Sequence, residues 1–384
     1  MMAHTQFRNI LISIFFIGFI SFPFINQKLN IIADTENTEK RQPTAKPAFD
    51  VNRLDEYFLQ FEKYYSDNFT FRQRLIKYFN QLNLVVFKKS PIPDQVIIGN
   101  EGWLFSGGNE IDSYKGKHRL ELSEMEEIRL ELEYRKKYLA EKGCKFYFLV
   151  APVKHIIYPD LVPKSFHRLN KQSWGQQLIE YLNKTSNVNP INVYNTLLQS
   201  KEFGNMYFKL DNHWNKKGAF FAANEALKRM NIDNKEVHTL LYEDFIVTDS
   251  ISHKGNLTEM LSNTQMFTDS FFELSPKNGF KSSACKQVGY KVVPGFPYPW
   301  EYEMVSEIPL SKKPKILIIS DSYGGNIYPY ISESFSRSVK IFDSWQYKLN
   351  EEIVQQEKPD VVLLIVLESN IRNILEFQSR PKNK

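Results

Sequence analysis

Cysteine is close to absent, with Cys144 and Cys285 the only two in 384 residues. That count excludes a disulfide-built scaffold and a cysteine-rich zinc site, and leaves room for one structural bridge if the domain is exported. The seven histidines form no cluster with cysteine at metal-ligand spacing, so no metal is expected. No P-loop and no G-x-G-x-x-G turn follows a strand-like run, and no cofactor is expected either. Charge of one sign is scarce too: 49 Lys and Arg stand against 44 Asp and Glu, a net charge of +5. Such a balance does not imply a nucleic-acid partner. No internal repeat stands out.

What is present is apolar and aromatic. With 42% hydrophobic and 24% charged residues, the chain can bury a sizeable core, as two or three units or as one α/β domain with insertions. Its 30 Phe, 20 Tyr and 5 Trp suit sugar or lipid contacts or an aromatic-rich core. Residues 10–25, ILISIFFIGFISFPFI, carry no charge. At about 1.5 Å per residue they make about 24 Å of helix, against a hydrocarbon core of ~30 Å. The stretch reads as a signal anchor or signal peptide over residues 1–28, with the uncleaved or late-cleaved anchor preferred and the bulk of the chain on the outer side. Residues 29–48, with Gln42-Pro43-Thr44-Ala45-Lys46-Pro47, read as a tether.

Apolar residues at three- and four-residue steps predict two helices over 50–90, meeting at Asp67 to Arg72, within an N-terminal helical extension over 49–95. Val96-Ile97-Ile98-Gly99 and Gly102-Trp103-Leu104-Phe105 predict two strands about a Gly turn. Ser123 and Glu126 predict a capping box opening a helix that Gly143 stops. KFYFLV at 145–150, KILIIS at 315–320 and DVVLLIVL at 360–367 are continuous apolar runs, as strands covered on both faces should be. Together with a shorter run at Val339 to Phe342 they alternate with helical segments near 171–183, 216–230 and 350–358. That alternation predicts an α/β fold with a mostly parallel sheet, its chemistry beyond the carboxyl ends of the strands.

At one such end the chain reads Ser320-Asp321-Ser322-Tyr323-Gly324-Gly325. A serine flanked by small residues at a strand-to-helix turn can expose its hydroxyl, with backbone N–H groups of the next helix aimed at an oxyanion. The alternative is a Ser/Gly turn without activity. Among the histidines, His155 follows strand KFYFLV and can reach the same face. His213 differs, because Asp211-Asn212-His213-Trp214 puts a carboxylate two residues before the imidazole. In an extended chain both project alike, so Asp211 can hold one ring nitrogen while the other faces a serine. Asn215 then caps a helix.

These strings resemble the alginate O-acetyltransferases of the AlgX/AlgJ type, whose SGNH-hydrolase-like domain carries Asp-x-His-Trp first and a (Gly/Ser)-Asp-Ser turn later. Asp67-Asn68-Phe69 with Arg72, Gly99 to Phe105, and Tyr158-Pro159-Asp160-Leu161-Val162-Pro163 are similar landmarks in the same order, over about residues 55–375. The resemblance implies an SGNH-hydrolase-like three-layer α/β/α domain over 49–384, with an N-terminal helical extension and anchor. It implies Ser322 as nucleophile, His213 as base and Asp211 as orienting carboxylate. It also implies a polysaccharide acceptor, a membrane-bound MBOAT-type acyltransferase as acetyl supplier, and a periplasmic or extracellular catalytic domain. Trp214 and Tyr323 are candidate sugar platforms or packing for the two turns. Tyr323, Gly324 and Asn370 are candidates for the oxyanion. Glu368 matches a Glu-Arg pair whose arginine is missing from its place, with Arg372 further on, and Lys254-Gly255-Asn256-Leu257 has Asn where relatives carry Asp. Two rivals remain open: a carbohydrate acetylesterase with the same triad, and a non-catalytic polysaccharide-binding or assembly protein.

Overall fold

The computed structural model describes residues 2–32, 43–261 and 266–381, which form two compact units. The first comprises Met1–Ile92 with Glu259–Thr264. It holds α1 (Met2–Leu29), α2 (Leu54–Asn68) and α3 (Arg72–Leu82). In α1, the 24 residues Gln6–Leu29 have a mean hydropathy of 1.9 and are long and apolar enough to cross a membrane. Helices α2 and α3 meet where the sequence breaks, at Phe71, which takes a left-handed φ of 74°. Of the expected tether, residues 33–42 lie outside the described residues. The remainder is tied down: the Thr44 N–H donates to Asp67 Oδ2 at 3.0 Å, and Asn68 Nδ2 donates to the Thr44 carbonyl at 3.0 Å.

The second unit, Pro93–Thr258 with Gln265–Lys384, opens with the hairpin β1 (Val96–Ile98) and β2 (Leu104–Ser106). Next come α4 (Gly108–Lys115), α5 (Leu122–Ala140), β3 (Lys145–Ala151), α6 (Lys154–Ile157), α7 (Trp174–Thr185), β4 (Ile191–Asn192), α8 (Tyr194–Gln199) and α9 (Lys216–Asp233). The chain continues through β5 (Phe245–Ser252), α10 (Asn256–Met260), β6 (Asp269–Pro276), β7 (Ser283–Ala284), β8 (Met304–Glu307) and β9 (Lys315–Ser320). It closes with α11 (Tyr323–Ser332), β10 (Arg337–Ile341), α12 (Glu351–Glu357), β11 (Val361–Leu367) and α13 (Asn373–Glu376).

The main sheet runs β4-β3-β11-β9-β10-β8-β7, parallel from β4 to β10 and antiparallel at β8 and β7. The three apolar runs are its centre, with Leu364 opposite both Phe148 and Ile319. Every residue of β11 is buried, and since alternate side chains point to opposite faces, both faces of the sheet are covered. Helix α5 packs with α7, α13 and β3, and α9 with α8 and α11. This is the SGNH-like α/β architecture, and its parallel strands put three carboxyl ends side by side.

One expectation changes, one open point is resolved and two features are new. Helix α5 starts at Leu122, capped by Glu121, whose N–H donates to Glu124 Oε2 at 2.8 Å, rather than by Ser123 with Glu126. Leu120 and Met125, which flank that cap, are both buried in the core and set where the first turn begins. Cys144 and Cys285 are free thiols, one buried and one exposed, so the bridge is not formed. The antiparallel ribbon β5–β6 and the edge strands β7 and β8 are additions. Most of β5 is exposed and β8 has four residues, so neither leaves a readable apolar period.

Candidate active site

Strand β9 buries Ile316 to Ser320, Asp321 is buried after it, and Ser322 is exposed at the N-cap of α11. The exposed hydroxyl at the end of a buried strand follows from the change from apolar to small residues. Asp211 and His213 do not sit in an extended segment as expected. They lie in a tight bend between the bridged residues Tyr207 and Trp214. There the His213 N–H donates to Asp211 Oδ1 at 3.0 Å, the local Asp turn that such side chains favour. Asn215 caps α9 as expected, accepting from the Gly218 N–H at 3.1 Å.

Across 109 residues of sequence the bend and the serine turn meet. His213 Nδ1 is 2.6 Å from Asp211 Oδ1, and His213 Nε2 is 2.7 Å from Ser322 Oγ. A carboxylate only accepts, so the ring proton sits on Nδ1 and Nε2 accepts from the serine hydroxyl. The register is stapled by neighbours. Trp214 Nε1 donates to the Tyr323 carbonyl at 3.0 Å, the Tyr323 hydroxyl donates to the Asn212 carbonyl at 2.7 Å, and Asn326 Nδ2 donates to the Trp214 carbonyl at 2.9 Å. From behind, the buried Lys154 ammonium donates to the carbonyls of Phe208, Lys209 and Asp211 at 3.0, 3.2 and 2.8 Å.

Electrostatics follow from burial against pairing. Burial alone would raise the Asp211 carboxyl, but the hydrogen bond and charge of His213, with the N–H groups of Asn256 and His213, hold it at about 2. Burial disfavours the His213 cation, yet the Asp211 hydrogen bond and charge, helped by Asp321 and Glu110, raise it above the ordinary imidazole value. Burial pushes Asp321 up, opposed by hydrogen bonds from the Tyr347 hydroxyl and the N–H groups of Tyr323 and Leu367. Glu110 is pushed by burial to about 7, against the Asn212 and Ser106 side chains. Burial lowers Lys154 to about 7.

Ser322, His213 and Tyr323 line an open cleft of about 350 Å³ with Glu110, Asn212 and Trp345. Asn370 also lines it, donating from Nδ2 to the Tyr347 hydroxyl at 3.0 Å. Trp214, Gly324, Glu368, Arg372 and His155 do not line it. Trp214 is fully buried and Tyr323 nearly so, their rings packing edge to face, so neither offers a face to a sugar. The N–H groups of Tyr323 and Gly324 donate to Asp321, at its side chain and carbonyl. Gly324 serves packing, since a Cβ there would lie 1.9 Å from Ser320 Oγ. Glu368 is buried under Ser173, Tyr194 and the N–H groups of Val153 and Gly175. Arg372 pairs with Glu124 at 2.7 Å over the Trp174 ring. His155 is buried with its ring against Phe105 and Tyr114.

Asn256 is in the cleft wall, and its N–H donates to Asp211 Oδ2 at 3.0 Å. An asparagine at this place still supports the carboxylate because the backbone does the donating. Nothing in the sequence singles out Glu110, Lys154 or Trp345. None lies near Asp211 or Ser322 along the chain, and Glu110 and Lys154 look like ordinary helix residues.

The cleft at the strand ends, with a serine turn after one strand and Asp-x-His ahead of a helix, defines an SGNH-hydrolase-like α/β protein. Residues 96–275 match the family described as the SGNH hydrolase-like domain of the acetyltransferase AlgX. That span includes Asp211 and His213 and stops short of Ser322. The chain is 21% identical over 271 residues to the probable alginate O-acetylase AlgJ of Pseudomonas aeruginosa, covering 69% of this chain and 64% of that protein, slightly under two thirds of its length. The structure of Bacillus cereus PatB1 superposes with a TM-score of 0.52 at 20% identity, over 72% of this chain and 97% of that one. PatB1 with a sulfonyl adduct gives 0.51 at 18% identity over the same shares. The chain is similar to the AlgX/AlgJ-like family across residues 96–275, 180 of its 384 residues.

Proposed function

We propose that this chain is an O-acetyltransferase that acetylates hydroxyls of an exported or cell-surface polysaccharide of the alginate kind. Ser322 is its nucleophile, His213 its general base and Asp211 the carboxylate orienting that base. The observation that carries this reading is the continuous contact from Asp211 through both nitrogens of His213 to the exposed Ser322 hydroxyl, at 2.6 and 2.7 Å. The similarity to the AlgX/AlgJ-like family supports the acetyl group and the sugar acceptor.

Ser322 Oγ attacks the acetyl carbonyl of the donor while His213 Nε2 takes its proton. The tetrahedral oxyanion collapses, the leaving group departs with that proton, and an acetyl-Ser322 ester remains. A sugar hydroxyl then gives its proton to Nε2 and attacks the ester, and Ser322 takes the proton back as the acetylated sugar leaves. The Ser322 N–H and the Asn370 amide are the oxyanion donors in this scheme. Transfer outruns hydrolysis only where the acceptor displaces water. Side chains of Asn109, Asn212 and Asn256 in the cleft suit sugar hydroxyls. Trp345, 48% exposed at its edge, supplies the ring face that Trp214 does not.

In this reading α1 anchors the chain, the catalytic unit works on the outer side of the membrane, and an MBOAT-type acyltransferase in that membrane delivers the acetyl groups. The test is incubation of the full chain with an activated acetyl ester, with and without oligouronate, followed by mass spectrometry of the Ser322 peptide. A one-acetyl gain on Ser322 and acetylated sugar are expected. Acetate released regardless of acceptor would make the protein an acetylesterase. Equal labelling of Ser322→Ala would remove Ser322 from the mechanism, and polysaccharide binding without any acetyl transfer would leave a binding protein.

A further inference from the structure

Helix α3 is amphipathic the wrong way round for a helix in water. A surface helix buries its apolar stripe and exposes its polar face. Here Asn80 is 4% exposed, donating from Nδ2 to the Leu261 carbonyl at 2.9 Å, while Leu75, Phe79, Leu82 and Val86 are 49–62% exposed. These four follow one another at steps of four, three and four residues, so they form one stripe, which the π-helical turn 83–87 continues from α3. Tyr78 widens it. Such a stripe on a soluble surface needs an occupant.

Charge and position indicate which. Residues 72–89 contain Arg72, Arg74, Lys77, Lys88 and Lys89 and neither Asp nor Glu. The last turns of α1 lie against the junction of α2 and α3, with Phe22 stacked on Phe71 and Phe24 on Tyr65, each at 5.5 Å between ring centroids. An apolar stripe with basic residues beside it, next to the end of a membrane-length helix, is the composition of a helix lying in a bilayer interface. We propose that residues 72–87 form a membrane-surface helix, with the Leu75–Val86 stripe sunk among the acyl chains and the basic residues facing anionic headgroups. The proposal rests on the reading of α1 as the anchor.

The experiment uses the full chain with Cys285→Ser, reconstituted in phosphatidylcholine/phosphatidylglycerol vesicles containing lipids brominated on their acyl chains. An environment-sensitive fluorophore is placed in turn at Phe79→Cys, Leu82→Cys, Lys77→Cys and Ile17→Cys. Expected are strong quenching at position 17 and quenching at 79 and 82 at least about twice that at 77. Lys88→Glu with Lys89→Glu should weaken quenching at 82 and leave position 17 unchanged. Quenching at 17 with 79 and 82 no different from 77 overturns the proposal while α1 remains an anchor, and assigns the stripe to a protein partner. No quenching at 17 overturns the anchor and the proposal together.

Discussion

Asp211→Asn isolates the link between geometry and chemistry. The change removes one charge and keeps the shape, and an amide oxygen can still face the His213 ring. The two groups touch at 2.6 Å, which puts their charge centres about 4 Å apart. At an effective dielectric of about 20, unit charges at that separation attract by about 4 kcal/mol. The imidazolium that forms as Ser322 loses its proton would forfeit that attraction, and at about 1.4 kcal/mol per decade the acylation rate falls roughly 10³-fold. The pH dependence should move as well. In the proposed mechanism catalysis needs neutral His213, whose pKa is raised above the ordinary 6.5, so wild-type activity should be lost as pH falls through a value above 6.5. Without the Asp211 charge, burial acts with less opposition, and the limb shifts to lower pH on a lower plateau. The assay is pre-steady-state acetylation of Ser322 by an activated ester across pH 5–9, with thermal unfolding to confirm the fold. A loss of less than about tenfold with an unmoved acid limb would refute the orienting role of Asp211.

Glu110 offers a test in equilibrium stability. Its folded pKa of about 7 lies above the ordinary 4.5, so ionisation is disfavoured in the fold. The stability present at low pH is lost as pH rises from 4.5 through 7, a cost of about 3 kcal/mol. Glu110→Gln keeps the bond from Asn212 and should gain on wild type by up to that amount between pH 4.5 and 8 in urea titrations. A pH-independent difference would contradict the burial argument. Gly324→Ala, with its Cβ 1.9 Å from Ser320 Oγ, should cost about 1–3 kcal/mol from overpacking. Ser320→Gly should recover much of that loss in the double variant, and simple additivity in a mutant cycle would show that the two sites do not meet.

The parallel centre of the sheet is legible in sequence because β3, β9 and β11 are buried on both faces and so lose their alternation. The helix–strand order and the two short strings around Asp211 and Ser322 are legible for the same local reason, since turn chemistry and caps act over a few residues. The antiparallel ribbon, the edge strands and the true cap of α5 are not, because they depend on what the rest of the chain packs against them. Trp214, Gly324, Glu368 and Arg372 do not line the cleft, and for one reason. Nearness along the chain to Ser322, or to a strand end, says nothing about which side of the backbone a residue faces.

The order of residues therefore determined that an acid, an imidazole and a hydroxyl would be available on short, small-residue turns beside buried strands, and that a membrane-length apolar helix would come first. Folding alone decided that the three converge within hydrogen-bond distance, that Asn256 and Lys154 hold the Asp211 bend, and that Trp345, not Trp214, lines the cleft. Those contacts join segments far apart in the chain, and their energies depend on burial, a quantity that exists only once the sheet and its helices have closed around them.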